Sequence, residues 1–173
     1  MENVKPAESG TKQMIISRTI HAPRELVWKA WTESDRLKIW SGPKSYTTPV
    51  FNMDPRVGGR YFNCMKSSEG QEIYSTGTIL EMAVNEKLVM TDSFADDQGN
   101  IVSASYYGME AEFPLVNQVT VKLTDIGSQT KLTVRYDAAS PIPEEHLTGM
   151  RQGWNESFDK LDAYLAGEVR QAP

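Results

Sequence analysis

Residues 143–167 read PEEHLTGMRQGWNESFDKLDAYLAG and form a long amphipathic pattern near the end of the chain. Six large apolar residues recur there at spacings of three and four, which places them on one narrow stripe of an α-helix. Burying each of these side chains stabilises a fold by ~1.5–3 kcal/mol before conformational entropy is counted. The helix therefore requires a broad apolar surface to pack on. The six residues are Leu147, Met150, Trp154, Phe158, Leu161 and Leu165.

The ends of this helix are predicted from residues with defined terminal preferences. Pro143 suits the first turn, and Glu144 and Glu145 are favourable beside the positive end of the helix dipole. Gly167 is expected to end the helix in a left-handed cap. We therefore predict a short C-terminal tail at 168–173.

The composition of the whole chain limits the classes of function. The 173 residues carry a net charge of −5, which argues against a nucleic-acid partner and against docking on an anionic membrane. No apolar run is long enough for an integral membrane segment. Cys64 is the sole cysteine, so an intrachain disulfide is excluded and a cytoplasmic location is the simplest interpretation. We predict a flexible tail at 1–12 and a single domain at 13–167.

The first part of the domain is expected to hold one strand and two short helices. Residues 13–21 are rich in β-branched side chains and predict a strand. A helix at 24–31 follows Pro23. Thr32 is a good N-cap for a second helix at 33–39, and Asp35 occupies the capping-box position.

In the middle of the chain, segments of alternating apolar and polar residues are separated by turn signals. Short turns join antiparallel neighbours, so these segments predict six further strands of one antiparallel sheet. Strands followed by a helix indicate an α+β fold, in which a curved sheet wraps around the C-terminal helix. Gly58, Gly59 and Gly77 are candidate positions for the breaks that curvature needs. The predicted strands cover 47–53, 60–66, 72–82, 87–92, 117–125 and 130–137.

Several motifs, in register, resemble one known superfamily. The segments RTIHAP (18–23) and VWKAWT (27–32) resemble the opening of START-like, or SRPBCC, helix-grip proteins such as the birch-pollen allergen type. DPRVGGR (54–60) resembles a turn of the branch similar to the activator of the 90-kDa heat-shock protein's ATPase. Further matches to that branch are WSGP (40–43), TKLT (130–133) and GW (153–154).

This resemblance covers residues 14–166 and implies a helix-grip fold. Such a fold has a curved seven-stranded antiparallel sheet around a long C-terminal helix and two short helices after the first strand. The superfamily binds lipids, sterols, polyketides and other apolar molecules in a cavity between the sheet and that helix. Ser41 departs from the pattern, because many relatives carry a second tryptophan at this position. A different cavity edge is expected there.

The predicted ligand-binding residues are the large apolar and aromatic side chains that such a cavity would use. Ligand sites are mostly apolar with a few polar anchors. Trp154 and Phe158 are expected to form the floor, and Trp40, Tyr107 and Met109 to lie nearer the mouth. The long segment 94–115 is the candidate rim. The full predicted set is Trp31, Trp40, Phe51, Tyr61, Tyr107, Met109, Phe113, Met150, Trp154 and Phe158.

Catalytic and metal chemistry has weaker support in the sequence. His21, His146 and Cys64 lack the paired spacing of a metal site, so we predict neither a metal nor a cofactor. The chain has no G-x-S-x-G serine, and Gly58-Gly59 lacks the lysine of a phosphate loop. A shift of one residue in register turns the side chains of a strand to the other face, so the sequence alone does not say which of them point inward. Seven residues are candidate acid/base groups if they face the cavity, namely Arg18, Glu81, Asp92, Tyr107, Glu110, Glu112 and Tyr136.

Three hypotheses about function follow from these observations. The first is a small binding protein that holds an apolar or amphipathic small molecule between sheet and helix. The second is a cyclase or dehydratase with a buried acid/base pair in the same cavity, which would show an inward carboxylate or histidine with a perturbed pKa. The third is an interaction module, either a chaperone regulator or a homodimer, which would show an exposed apolar patch. The sequence favours binding over catalysis.

Overall fold

A curved antiparallel sheet and a long C-terminal helix dominate the computed structural model, which describes residues 11–109 and 113–171. Two short helices follow the first strand, and a single 3-10 turn (Ala104–Tyr107) lies between the fifth and sixth strands. The elements in chain order are β1 (Thr11–Ile20), α1 (Arg24–Thr32), α2 (Ser34–Trp40), β2 (Tyr46–Met53), β3 (Arg60–Ser67), β4 (Glu72–Ala83), β5 (Lys87–Ala95), β6 (Asn117–Asp125), β7 (Thr130–Ile142) and α3 (Glu144–Gln171).

The seven strands form one sheet in the order β1-β7-β6-β5-β4-β3-β2, and every neighbouring pair is antiparallel. Helices α1 and α2 carry the chain from β1 at one edge to β2 at the other. The chain then returns strand by strand until β7 pairs with β1. This arrangement confirms the predicted α+β helix-grip architecture.

The inner face of the sheet is identified by the residues that join the apolar core. On β5 these are Leu88 and Met90, and on β6 they are Val119 and Val121, in each case two residues apart. On α3, Phe158, Leu161 and Leu165 are fully buried in the same core. The predicted apolar stripe is therefore the face by which α3 packs on the fold.

Polar contacts fix the position of α3 along the sheet. Lys160 Nζ donates to the carbonyl oxygens of Ser41, Pro43 and Tyr46 at 3.2–3.4 Å, which ties the helix to the loop between α2 and β2. Arg18 on β1 forms an ion pair with Asp159 of α3. The helix is thus held at both the loop and the β1 edge of the sheet.

Two predicted helix ends are wrong. Helix α3 does not end at Gly167 but continues to Gln171, so residues 168–171 are helical rather than a tail. The last turn is stabilised by Glu168, whose carboxylate pairs with Arg36 of α2 at 3.5 Å. Thr32 does not cap α2. It is the last residue of α1, and its hydroxyl donates to the Trp28 carbonyl at 2.9 Å.

Three strand ends differ from the predicted ones by two or more residues, and one of them is the end of β5, which continues to Ala95. Strand β1 begins at Thr11, inside the predicted tail, whose residues 1–10 lie outside the described part of the chain. Strand β7 extends to Ile142, because it pairs with β1 as far as Thr11 after a register shift.

Candidate functional site

An aromatic cluster joins α3 to the α1–α2 pair. The Trp31 ring lies 4.9 Å from Trp40, 6.2 Å from Trp154 and 6.5 Å from Phe158, measured between ring centroids. Phe158 is fully buried, whereas Trp154 is only partly buried. One turn earlier on α3, Met150 is also partly buried against the core. Accessible apolar surface on α3 therefore begins at Trp154 and extends toward Met150.

A polar cluster lies on the inner face of the sheet. Asp92 on β5 follows Leu88 and Met90 at intervals of two residues and therefore shares their inward face. The Tyr61 hydroxyl on β3 donates to Asp92 Oδ1 at 2.5 Å, and the Tyr136 hydroxyl on β7 lies 3.4 Å from Asp92 Oδ2. Both tyrosines are buried in the core. Two other strands, β3 and β7, thus bring hydroxyl groups to the carboxyl group of β5.

Gly77 allows Tyr61 to reach Asp92. Tyr61 pairs with Gly77 across β3 and β4, and the β4–β5 register places Gly77 next to Asp92. A Cβ atom at Gly77 would collide with the Tyr61 ring and with the Thr91 carbonyl oxygen. Because glycine has no side chain, the Tyr61 ring crosses over β4 and its hydroxyl meets the carboxylate on the next strand.

The environment of this cluster changes the acidity of its members. Burial raises the pKa of Asp92, because desolvation disfavours the carboxylate, although hydrogen bonds from Tyr61 and Tyr136 partly oppose this effect. Burial raises the pKa of Tyr61 and of Tyr136 well above the usual value, and the nearby Asp92 carboxylate raises both further. The two phenols therefore remain protonated donors throughout the pH range in which Asp92 titrates.

Asn117 adds an acceptor beside Asp92. The two residues are paired directly across β5 and β6, which places their Cβ atoms about 5 Å apart on the same face. Asn117 Nδ2 donates to the Pro114 carbonyl at 3.2 Å, and this bond identifies which end of the amide is the oxygen. Asn117 Oδ1 is buried and has no hydrogen-bond partner among the residues that the structure describes. Asp92 itself keeps part of its surface accessible.

The predicted rim lies beside the ends of β4 and β5. Phe94 contacts Tyr107 and Phe113, each with ring centroids 5.8 Å apart. The Tyr107 hydroxyl donates to the Ala95 carbonyl at 2.5 Å and accepts from the Tyr74 amide at 3.0 Å. Met109 is exposed. The candidates Glu110 and Glu112 lie outside the described residues.

The structure separates the predicted ligand-binding residues into groups. Trp31, Trp154, Phe158 and Met150 lie on or beside α3, and Phe51 stacks on Tyr61 at 5.9 Å on the inner face of the sheet. Tyr107, Phe113 and Met109 belong to the rim segment. Trp40 differs from its expected place near the mouth, because it is buried and its Nε1 donates to the Ala30 carbonyl at 2.9 Å.

Asn117 is the functional candidate that the predicted site omits. Asn117 carries no distinctive sequence signal, because its role arises from its register opposite Asp92. Phe94 begins the predicted rim segment, and the structure places it on β5, on the same face as Asp92.

Most of the remaining candidate acid/base and metal residues have ordinary polar partners. Glu81 pairs with Lys87 at 3.1 Å on the exposed surface, and His21 Nδ1 lies 3.0 Å from Asp162 of α3. Within 11–109 and 113–171, no cluster of three or more histidine, cysteine or acidic residues could hold a metal ion. Of the seven acid/base candidates, Asp92 and Tyr136 face the interior together.

An open groove of about 610 Å³ lies next to the β2–β3 hairpin. Its lining mixes charged residues such as Asp54, Arg60 and Asp97 with apolar and aromatic ones, and Tyr61 contributes to its wall. No residue of α3 lines this groove, so it lacks the helix wall of the predicted site. The groove is therefore separate from the aromatic cluster on α3.

We expect Asp92→Asn to stabilise the folded protein by about 0.5–2 kcal/mol near neutral pH, because a desolvated charge is removed while the amide can still bond a tyrosine. Since folding raises the pKa of Asp92, its stabilising contribution is present below about pH 4 and is lost as pH rises through the folded-state pKa. The gain in the variant should therefore shrink as pH falls from about 7 to about 4.

Thermal unfolding of both proteins across this pH range measures the difference, with Asp97→Asn as the exposed control. A variant that is less stable than the parent at neutral pH, or whose difference is independent of pH, would contradict the assignment.

Comparison with known proteins relates the chain to one family. The sequence model of the family described as Activator of Hsp90 ATPase homolog 1-like protein matches residues 21–166. No curated protein matches the chain in sequence. None of the helices in the described part of the chain is long and apolar enough to cross a membrane.

Solved structures share the architecture over nearly the whole chain. A protein from Nitrosomonas europaea has a TM-score of 0.75 at 23% identity, covering 91% of this chain and 96% of its own. A protein from Chromobacterium violaceum has a TM-score of 0.72 at 25% identity, covering 89% and 96%. The AHSA1 protein from Silicibacter pomeroyi has a TM-score of 0.70 at 20% identity, covering 90% and 99%. These likenesses support the fold assignment.

Proposed function

The chain belongs to the family of Activator of Hsp90 ATPase homolog 1-like proteins, and on this basis we propose that it binds an apolar or amphipathic small molecule between the inner face of its sheet and α3. The bound molecule would lie along Trp154 and Met150 on the helix side. Tyr61, Asp92 and Tyr136 would form the polar end of the site.

One observation carries this proposal. Met150, Trp154 and Phe113 pack against the apolar core yet keep accessible surface, and they occur on α3 and on the rim segment. Accessible apolar surface beside a core is the usual lining of a small-molecule site, and a few polar groups then fix the orientation of the ligand. Asp92 with its two tyrosines supplies such a polar group.

Binding fits this geometry better than acid–base catalysis. Asp92 is the inward carboxylate that the cyclase or dehydratase hypothesis requires, and burial raises its pKa. However, Tyr61 bonds one carboxylate oxygen at 2.5 Å and Tyr136 lies near the other at 3.4 Å. A carboxylate held by two donors serves better as a fixed anchor than as a proton acceptor. The homodimer, the chaperone-regulating role and the cytoplasmic location stay predictions.

A titration with N-phenyl-1-naphthylamine, a neutral apolar dye that fluoresces on burial, tests the proposed function. We expect saturable binding, and we expect Trp154→Leu to weaken it by about tenfold because the variant removes aromatic contact area on α3. The control is Ile39→Ala, an exposed residue of α2 away from the site.

Circular dichroism establishes that each variant is folded. If the dye does not bind, or if Trp154→Leu and Ile39→Ala bind it as well as the parent protein, the proposed site is wrong.

A further inference from the structure

The polar end of the proposed site offers acceptors rather than donors. Asp92 forms no salt bridge with any residue of the described ranges. Asn117 Oδ1, directly opposite on β6, is buried and unpaired within the same ranges. On the same face, the buried Oδ1 of Asn63 is also unpaired. The Tyr61 and Tyr136 hydroxyls both donate to Asp92.

The free acceptors of this site indicate which ligand group would pair with them. A buried carboxylate without a positive partner is costly, and a cation brought beside it offsets part of that cost. An unpaired buried acceptor likewise gains from a donor. Asp92 and Asn117 share one face about 5 Å apart, so one small group with several N–H donors can reach both.

We propose that the preferred ligand is an apolar molecule with a protonated amine, whose ammonium group binds between Asp92 and Asn117. This inference rests on the proposed function and names the ligand class for the same site. The apolar body of the ligand lies along Trp154 and Met150.

The amine is favoured over an alcohol or an acid by its donors and its charge. An ammonium group has three donors and no acceptor, which matches a site that presents acceptors. An alcohol supplies one donor and leaves the carboxylate uncompensated. A carboxylic acid in its charged form is repelled by Asp92. The net charge of −5 adds a favourable long-range field for cations.

Three ligands of one chain length test the proposal by displacing N-phenyl-1-naphthylamine below their micelle concentrations. We expect decylamine to displace the dye at a concentration about tenfold lower than decanol, and decanoate to be the weakest competitor. Higher salt should reduce the preference only modestly, because partly buried charges are screened less than exposed ones.

Two variants assign the preference to the proposed anchor. Asp92→Asn keeps the shape of the side chain and removes its charge, so the advantage of decylamine over decanol should disappear. Glu72→Gln, an exposed carboxylate that accepts a hydrogen bond from Tyr74, should keep that advantage. Asn117→Leu should reduce it partially, because one acceptor is lost.

The outcomes separate the two proposals. If the dye and all three ligands fail to bind, the proposed function is wrong and the inference falls with it. If decanol or decanoate competes as well as decylamine, the function stands and the amine inference is wrong. An amine preference that survives Asp92→Asn, or that Glu72→Gln abolishes, would place the binding group elsewhere and overturn the inference.

Discussion

Gly77→Ala is expected to lower the free energy of unfolding by about 3 kcal/mol or more. The new methyl group would collide with the Thr91 carbonyl oxygen, which belongs to the backbone of the neighbouring strand, and with the Tyr61 ring. To avoid this collision, either β4 must separate from β5 or the Tyr61 ring must leave its place over β4. The second change would also break the Tyr61–Asp92 hydrogen bond of 2.5 Å.

Gly149→Ala provides a matched control for the glycine substitution. Gly149 lies within α3, and a Cβ atom there would meet nothing within 4 Å. Alanine favours a helix over glycine by about 1 kcal/mol, so this variant should be more stable than the parent protein. Urea unfolding of both variants measures the two effects. A Gly77→Ala protein as stable as the parent would show that Tyr61 does not need to cross β4.

Phe158→Ala is expected to cost about 3–5 kcal/mol of stability. Phe158 is fully buried and contacts Trp31 at 6.5 Å and Trp154 at 5.7 Å between ring centroids. Its removal leaves a cavity at the junction of α3 with the α1–α2 pair, and the surrounding rings can collapse into it only partly. The loss is large compared with the total stability of an average domain.

A leucine variant at the same position and a surface control help to interpret this result. Phe158→Leu keeps most of the apolar volume and should lose less than Phe158→Ala, whereas Ile39→Ala on the exposed surface should change stability by less than about 0.5 kcal/mol. Calorimetric melting compares the three variants with the parent protein. Near-equal stabilities of Phe158→Ala and the parent would mean that α3 is not anchored at this position.

The fold could be predicted from the sequence because the patterns that indicate it are local. The stripe from Leu147 to Leu165 requires only a spacing of three and four, and the fold buries Leu161 and Leu165 completely. The resemblance of several motifs in register supplied the strand number and the helix-grip arrangement. By contrast, Gly167 carried a local end signal that the pairing of Glu168 with Arg36 overrides.

The polar cluster could be predicted only in part, because it depends on strand register. Tyr61, Asp92 and Asn117 lie on three different strands, and a shift of one residue in any of them would turn its side chain to the other face. The sequence therefore provided Asp92 and Tyr136 as candidates without their orientation. Gly77 was predicted as a point of curvature, and its position beneath the Tyr61 ring emerges only in three dimensions.

We place the bound molecule between the sheet and α3, and NMR of 13C-labelled methionine methyl groups tests this position directly. Met150 lies on α3 and Met90 on the inner face of β5, while Met109 lies at the surface. On titration with N-phenyl-1-naphthylamine, we expect the largest shifts at Met150 and Met90. Shifts confined to Met109, with Met150 and Met90 unchanged, would contradict a site between the sheet and α3.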